Sequence, residues 1–184
     1  MIRCCITGSP ARLDVIARNL AAGVEWIQIR EKDLSARALF ELVESVCKLP
    51  NPHGSKILVN TRADVALAAG AAGVAGVHLP SGSPPARFWR RPGFLVGVSC
   101  HSVDDVRNAE ADGADYVVFG PVFPPLSKQA GLEPKGLDEL ARAAKVVRIP
   151  VLALGGVTRE NSAACVAAGA AGIAGISLFQ SESC

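Results

Sequence analysis

Aromatic side chains are scarce in this sequence: two Trp, one Tyr and six Phe make up 5% of 184 residues. A core without large rings must be built from Val, Ile, Leu and Ala, the set that suits parallel strands covered by helices, and this disfavours an all-β sandwich. Charge of one sign is also lacking. Nineteen basic residues are interspersed with 17 acidic ones, for a net charge of +2, too balanced for a dedicated nucleic-acid surface. The segment RFWRR at Arg87–Arg91 mixes cations with aromatics, but it amounts to one local patch. The expected partner is a small molecule, with neither nucleic acid nor membrane.

The six Cys, at 4, 5, 47, 100, 165 and 184, form no C-x-x-C pair, and no His stands at zinc-finger spacing, so a structural metal is not expected. No charged segment followed by a long apolar run opens the sequence. The thiols are then expected to be free and the setting cytoplasmic. Ser162–Phe179 is uncharged, but Ala and Gly dominate it and its glycines interrupt it. It reads as helix, turn and strand rather than as a membrane span.

What is present is alternation. Short β-like runs at Ile2–Thr7, Val24–Arg30, Lys56–Asn60, Gly73–Leu79, Phe94–Ser99, Asp115–Gly120, Pro150–Gly155 and Gly172–Leu178 alternate with Ala-rich helical segments. The helices are expected near Ala11–Ala22, Ser35–Lys48, Arg62–Ala69, Ser102–Ala111, Leu137–Val147 and Arg159–Ala168, with a short one near Pro85–Arg90. Gly23, Gly70, Gly113 and Gly169 are expected to end helices in the left-handed conformation. Eight such units in one domain, 1–184, predict an α/β fold, a compact (β/α)8 barrel. Ala68–Leu79 (AAGAAGVAGVHL) recurs as Ala167–Leu178 (AAGAAGIAGISL), as two half-barrels would. Few residues follow the eighth strand, so the last covering helix is expected to be short or missing, with a partner surface, such as a homo-oligomer contact, over that strand.

Ligands of such barrels bind at the C-terminal ends of the strands. In VEWIQIREKD the alternation puts Trp26, Gln28 and Arg30 on one side and Ile27 and Ile29 on the other. Gln28 and Arg30, with Lys32 above them, suit a phosphate or carboxylate. Asn60 closes the third strand, as a ligand amide or a helix N-cap. His78 reads as a hydrogen-bonded histidine of the barrel interior. Ser99, Cys100 and His101 reach the mouth after the fifth strand. His101 could move a proton there, whereas Cys100 beside it points away, as neighbours on a strand do. Ser127 and Lys128 lie in a long loop that could close over a ligand. Gly155 and Gly156, with the Gly175–Ser177 turn that carries Ile176 and Ser177, would let backbone amides approach a phosphate.

The ordered motifs QIREKD, ILVNTRADVALAAG, GVHL, GVSCHS, DYVVFGPVFPPLSK and LALGGVTREN resemble the thiamine phosphate synthase and TenI superfamily along essentially the whole chain. The resemblance implies a phosphorylated thiazole as ligand. By analogy, Gln28, Arg30 and Lys32 match the diphosphate motif, and Asn60, Ser99 and Lys128 match further ligand contacts. Gly156 and Ser177 match the thiazole phosphate cradle. Two aspartates that hold Mg²⁺ in the synthases correspond to Thr61 and Ser83, and the TenI-type histidine after the sixth strand corresponds to Pro121. The loss of both carboxylates makes metal-independent thiazole tautomerisation, with His101 or Lys128 as acid/base and no cofactor, the first expectation. A divergent synthase that uses Mg²⁺, or a silent thiazole phosphate-binding protein, is the alternative.

Overall fold

Period-two alternation along Trp26–Ile29 resolves into two different environments. Ile27 and Ile29 are fully buried beneath helices, while Trp26 packs with Leu58, Tyr116 and Leu152 inside a closed sheet. The computed structural model from which this is read describes residues 1–124 and 133–180. Its strands are β1 (Ile2–Ile6), β2 (Trp26–Ile29), β3 (Lys56–Asn60), β4 (Val74–Leu79), β5 (Leu95–Cys100), β6 (Tyr116–Phe119), β7 (Val151–Ala153) and β8 (Gly172–Gly175). Every neighbouring pair is parallel, and β8 closes onto β1. The expected (β/α)8 barrel is therefore the fold.

The helices among the described residues are α1 (Leu13–Ala21), α2 (Ala36–Cys47), α3 (Ala63–Ala68), α4 (Val103–Ala111), α5 (Gly136–Lys145) and α6 (Arg159–Ala167). Leu39, Val43 and Val46 stand one turn apart on α2 and are buried against the outer side of the sheet. The Ser35 hydroxyl accepts from the Ala38 amide and caps this helix. Interior packing is tight across the barrel: the Trp26 and Tyr116 ring centroids are 4.6 Å apart, edge to face. Tyr116 lies so close to β5 that a Cβ on Gly97 would fall 2.0 Å from its ring. No side chain larger than hydrogen fits there.

Three expectations are corrected. Gly70 does not end α3 in the left-handed conformation; the chain continues through a 3-10 turn, Gly70–Ala72, and Gly73 takes that role at φ 113°. The left-handed glycines Gly73 and Gly169 thus occupy different positions of the sequence echo, although the echo itself aligns equivalent elements: α3 and α6 end at the matched Ala68 and Ala167, and β4 and β8 begin within one residue of matched positions. The eighth strand stops at Gly175 rather than Leu178, because Ile176 turns out of the extended region (ψ −67°) and Ser177–Phe179 forms a 3-10 turn. The segment near Pro85–Arg90 is likewise a 3-10 turn, Ala86–Phe88, too short to span β4 to β5 as an α-helix.

Beyond β8 the described chain has no α-helix. Its terminal turn is held by α1, where Asn19 Nδ2 donates to the Phe179 carbonyl at 3.1 Å and Arg18 to that of Gln180 at 3.1 Å. A cleft of about 340 Å³ remains over β8 and β1, with Val24, Ile173, Leu178 and Phe179 in its wall.

Candidate functional site

Gln28 is 1% exposed although it carries a carboxamide. Its Oε1 accepts from Asn60 Nδ2 at 3.2 Å, so the amides of β2 and β3 form one hydrogen-bonded pair, while Gln28 Nε2 has no partner. An unsatisfied buried N–H is costly and is relieved when an acceptor arrives. The alternation that puts Gln28 inside also carries Arg30, just beyond β2, toward the mouth. The Arg30 amide is fixed by Thr7, whose hydroxyl accepts from it at 2.8 Å, while the Thr7 amide donates to the Gln28 carbonyl at 2.9 Å. Thr7 is 2% exposed and escaped the sequence reading; a hydroxyl at a strand end carries no distinctive pattern.

His78 lies in the interior as expected, in a chain spanning three strands. Its Nδ1 is 3.1 Å from the Tyr116 hydroxyl on β6 and its Nε2 is 2.9 Å from Ser99 Oγ on β5. Burial pushes the imidazole down to about 4 and the Tyr116 phenol well above its ordinary value, so both are neutral at physiological pH. When the tyrosine donates to Nδ1, Nε2–H donates to Ser99, whose own hydrogen is then free for a ligand. Tyr116 was also missed. It is the one tyrosine of the sequence, and its parity in the sixth strand was the available signal.

Cys100 is fully buried, and burial, with a smaller contribution from Asp105, pushes its thiol up to about 12. It stays protonated and is no nucleophile. His101 turns the other way. Its amide donates to Asp105 Oδ2 at 2.9 Å, and its Nδ1 lies 2.6 Å from the Gly120 carbonyl at the end of β6. A carbonyl can only accept, so Nδ1 carries a proton, and in the neutral ring the lone pair is then on Nε2. The ring thus touches the residue immediately before Pro121. Ser127 and Lys128 lie outside the described residues.

Just beyond the C-terminal end of β7, Gly155 and Gly156 have φ of 91° and 61°. The loop after β6 packs directly on them. A Cβ on Gly155 would be 2.5 Å from Pro121 Cβ, and one on Gly156 would be 2.3 Å from the Pro124 carbonyl oxygen. The Val122 and Phe123 amides donate to the Leu154 and Gly155 carbonyls, extending the β6–β7 pairing toward the mouth. Among the described residues, the amides of Gly155, Gly156 and Val157, and those of Ile176 and Ser177, donate to no backbone carbonyl. Ile176 and Ser177 are exposed. Two groups of N–H donors on adjacent loops, without partners among the described residues, are what a phosphate requires.

The Mg²⁺ that the resemblance associates with this fold does not suit these residues. Thr61 and Ser83 offer neutral hydroxyls. The Thr61 hydroxyl donates to Asn60 Oδ1 at 3.0 Å and the Ser83 hydroxyl to the Pro80 carbonyl at 2.8 Å. The nearby carboxylate of Asp64 is engaged by Arg62 at 2.5 and 2.8 Å. No group of three or more His, Cys, Asp or Glu among the described residues is arranged to hold a metal. Thr61 still has φ 65°, unusual for a β-branched residue, with its amide donating to the His78 carbonyl at 2.7 Å. Ser83 and Ser99 share a cleft of about 240 Å³ between the loop after β4 and α4.

A family model described as thiamine monophosphate synthase matches residues 4–179. A protein of Geobacter sulfurreducens is 48% identical over 170 residues, 91% of this chain and 78% of its own length. The thiamine-phosphate synthase of Chlorobium luteolum is 42% identical over 180 residues, 96% of this chain and 84% of its own length. Among solved structures, the thiamine phosphate pyrophosphorylase of Pyrococcus furiosus superposes with a TM-score of 0.86 at 29% identity, covering 98% of this chain and 88% of that one.

Proposed function

The chain belongs to the thiamine monophosphate synthase family, and on that premise we propose that it joins a pyrimidine diphosphate to a thiazole phosphate with release of pyrophosphate. The observation that carries this reading is that one mouth offers two separate sets of anion-binding groups. The amides after β7 and β8 suit a phosphate. Gln28, Asn60, Arg30 and Lys32, at the ends of β2 and β3, suit a second and more highly charged group. A coupling of two phosphorylated molecules needs both, whereas isomerisation of one phosphate needs only one. The names of the relatives favour the same reading over the tautomerase first expected from the sequence.

In this reading the cradle fixes the thiazole phosphate, so that the thiazole nitrogen faces the carbon bearing the diphosphate. The C–O bond to the diphosphate breaks and the C–N bond forms. The leaving pyrophosphate carries away the electron pair, and the cations of Arg30 and Lys32 meet the charge that develops on it. Gln28 Nε2 supplies a donor to the same group, and Ser99, oriented by His78, hydrogen-bonds the pyrimidine. Lys128 is proposed as a further cation from the loop after β6. A cytoplasmic setting agrees with the five free cysteines among the described residues and with the lack, among them, of a helix long and apolar enough to cross a membrane.

A second reading, metal-independent tautomerisation of a thiazole carboxylate phosphate, is favoured by one observation. His101 is held through Nδ1 by the Gly120 carbonyl, and the other nitrogen of the neutral ring, Nε2, could move a proton between ring positions. Incubation with both substrates, and with the thiazole tautomer alone, each with and without a chelator, separates the two by NMR. Pyrophosphate release that requires both substrates supports the synthase. Aromatisation without the pyrimidine supports the tautomerase, and binding without either signal would leave a silent phosphate-binding protein.

A further inference from the structure

At the N-terminal ends of the strands, opposite the mouth, the barrel carries a cleft of about 530 Å³, within the size range of small-molecule sites. It opens where β3, β4, β5 and β6 begin. The register between β3 and β4 shifts there: Ile57 pairs with Val74 but Leu58 with Gly76, which leaves Ala75 unpaired in the cleft wall. Phe94 and Leu95 add apolar wall, and the turn Arg90–Gly93, the end of the RFWRR segment, forms the rim.

Three cations line this cleft, Lys56, Arg90 and Arg91, against one carboxylate, Asp115. Asp115 is already engaged. Its Oδ2 accepts from the Val96 amide at 2.8 Å and its Oδ1 lies 3.5 Å from Arg90. Arg91 donates to the backbone carbonyls of Phe88 and Arg90 in its own turn, and the Lys56 ammonium has no ion pair among the described residues. Two cations without a counter-charge around an apolar floor repel one another and draw an anion. Their number matches a doubly charged group, and the apolar walls match a ligand body beyond the charge.

We propose that this basal cleft is a second binding site, distinct from the mouth, for a small phosphorylated molecule, with Lys56 and Arg91 as its principal anion contacts and Arg90, held by Asp115, as the third. The site needs no metal, and its affinity falls with ionic strength because both principal cations are solvent-exposed.

Inorganic pyrophosphate is the probe, titrated calorimetrically at low salt into the full chain and two double variants. R30A/K32A weakens the mouth and K56Q/R91Q the basal cleft; circular dichroism verifies that each is folded. The expected result is a binding event that persists in R30A/K32A and is weakened about tenfold or more in K56Q/R91Q. A heteronuclear NMR titration of R30A/K32A should place that event on Lys56, Ala75 and Phe94. An R30A/K32A protein that binds no pyrophosphate overturns the proposal, as does one whose binding K56Q/R91Q leaves unchanged. Failure of the synthase assay has no bearing on either outcome, since neither titration depends on turnover.

Discussion

Ser99 Oγ lies 2.9 Å from His78 Nε2, and this contact joins the barrel interior to its mouth. The other face of the imidazole rests on the Tyr116 hydroxyl, so the histidine is satisfied at both nitrogens while 2% exposed. The arrangement requires a neutral ring, because a charged one in this interior would find no counter-ion among the described residues to offset its lost hydration.

A dependence of stability on pH follows. The folded His78 titrates near 4, against 6.5 for the free side chain. As pH falls through 6.5 the unfolded chain takes up a proton that the native chain refuses, so stability is full above that value and declines toward pH 4. The loss approaches about 3 kcal/mol for this one group. Urea denaturation at about pH 7 and about pH 5 should show it, and His78→Gln should flatten the slope within that window. An unchanged slope in the variant would assign the effect elsewhere.

Ser99→Ala removes the hydrogen-bond partner of His78 Nε2 and the hydroxyl offered to a ligand. Stability should fall by about 1 kcal/mol, and KM for the pyrimidine diphosphate should rise while KM for thiazole phosphate changes little. Initial-rate measurements with each substrate varied separately test this split.

Gly155→Ala should be far more damaging than its single methyl suggests. The new Cβ would meet Pro121 at 2.5 Å, and the backbone there has φ 91°. Forcing the loops after β6 and β7 apart should cost about 3 kcal/mol or more and weaken phosphate binding at the cradle. Thermal unfolding and a phosphate titration would reveal both effects together.

Restoring carboxylates at Thr61 and Ser83 should create a metal response. T61D/S83D is expected to release pyrophosphate faster when Mg²⁺ is added, whereas the wild-type protein should respond weakly to Mg²⁺ or chelator. Asp tolerates φ 65° better than a β-branched Thr does, so the fold should withstand the first substitution. Metal-stimulated activity in the wild type equal to that of the variant would contradict the assignment.

His101→Asn distinguishes the two activities within one protein. Loss of the Nε2 lone pair should abolish aromatisation of a thiazole tautomer and leave phosphate binding and pyrophosphate release near wild-type levels. Undiminished aromatisation would remove His101 from that mechanism.

The distance between what was readable and what was not is clearest in particular elements. Trp26, Gln28, Ile27 and Ile29 were assigned to the correct sides of β2 because a strand has a strict period of two. The echo between Ala68–Leu79 and Ala167–Leu178 matched the ends of α3 and α6 and the starts of β4 and β8, but not the turn between them, where the left-handed glycine is Gly169 in one copy and Gly73, after a 3-10 turn at Gly70–Ala72, in the other. Packing of the turn against its neighbours decides between these, and no local propensity separates them. Gly155 and Gly156 were found as a phosphate-binding pair, but the contact of Pro121 and Pro124 that also demands glycine there was invisible.

Composition and alternation by themselves determined the barrel, the number of its strands, the face each residue of β2 presents and the end at which ligands meet it, because hydrophobic periodicity is a property of neighbours along the chain. Tertiary structure alone decided that Gln28 reaches Asn60, that His78 bridges Ser99 and Tyr116, and that Lys56 and Arg91 face a common cleft. Those pairings join residues on different strands or loops. They depend on how far each strand is shifted along the next when the sheet closes, and that stagger is a property of the whole barrel rather than of any segment.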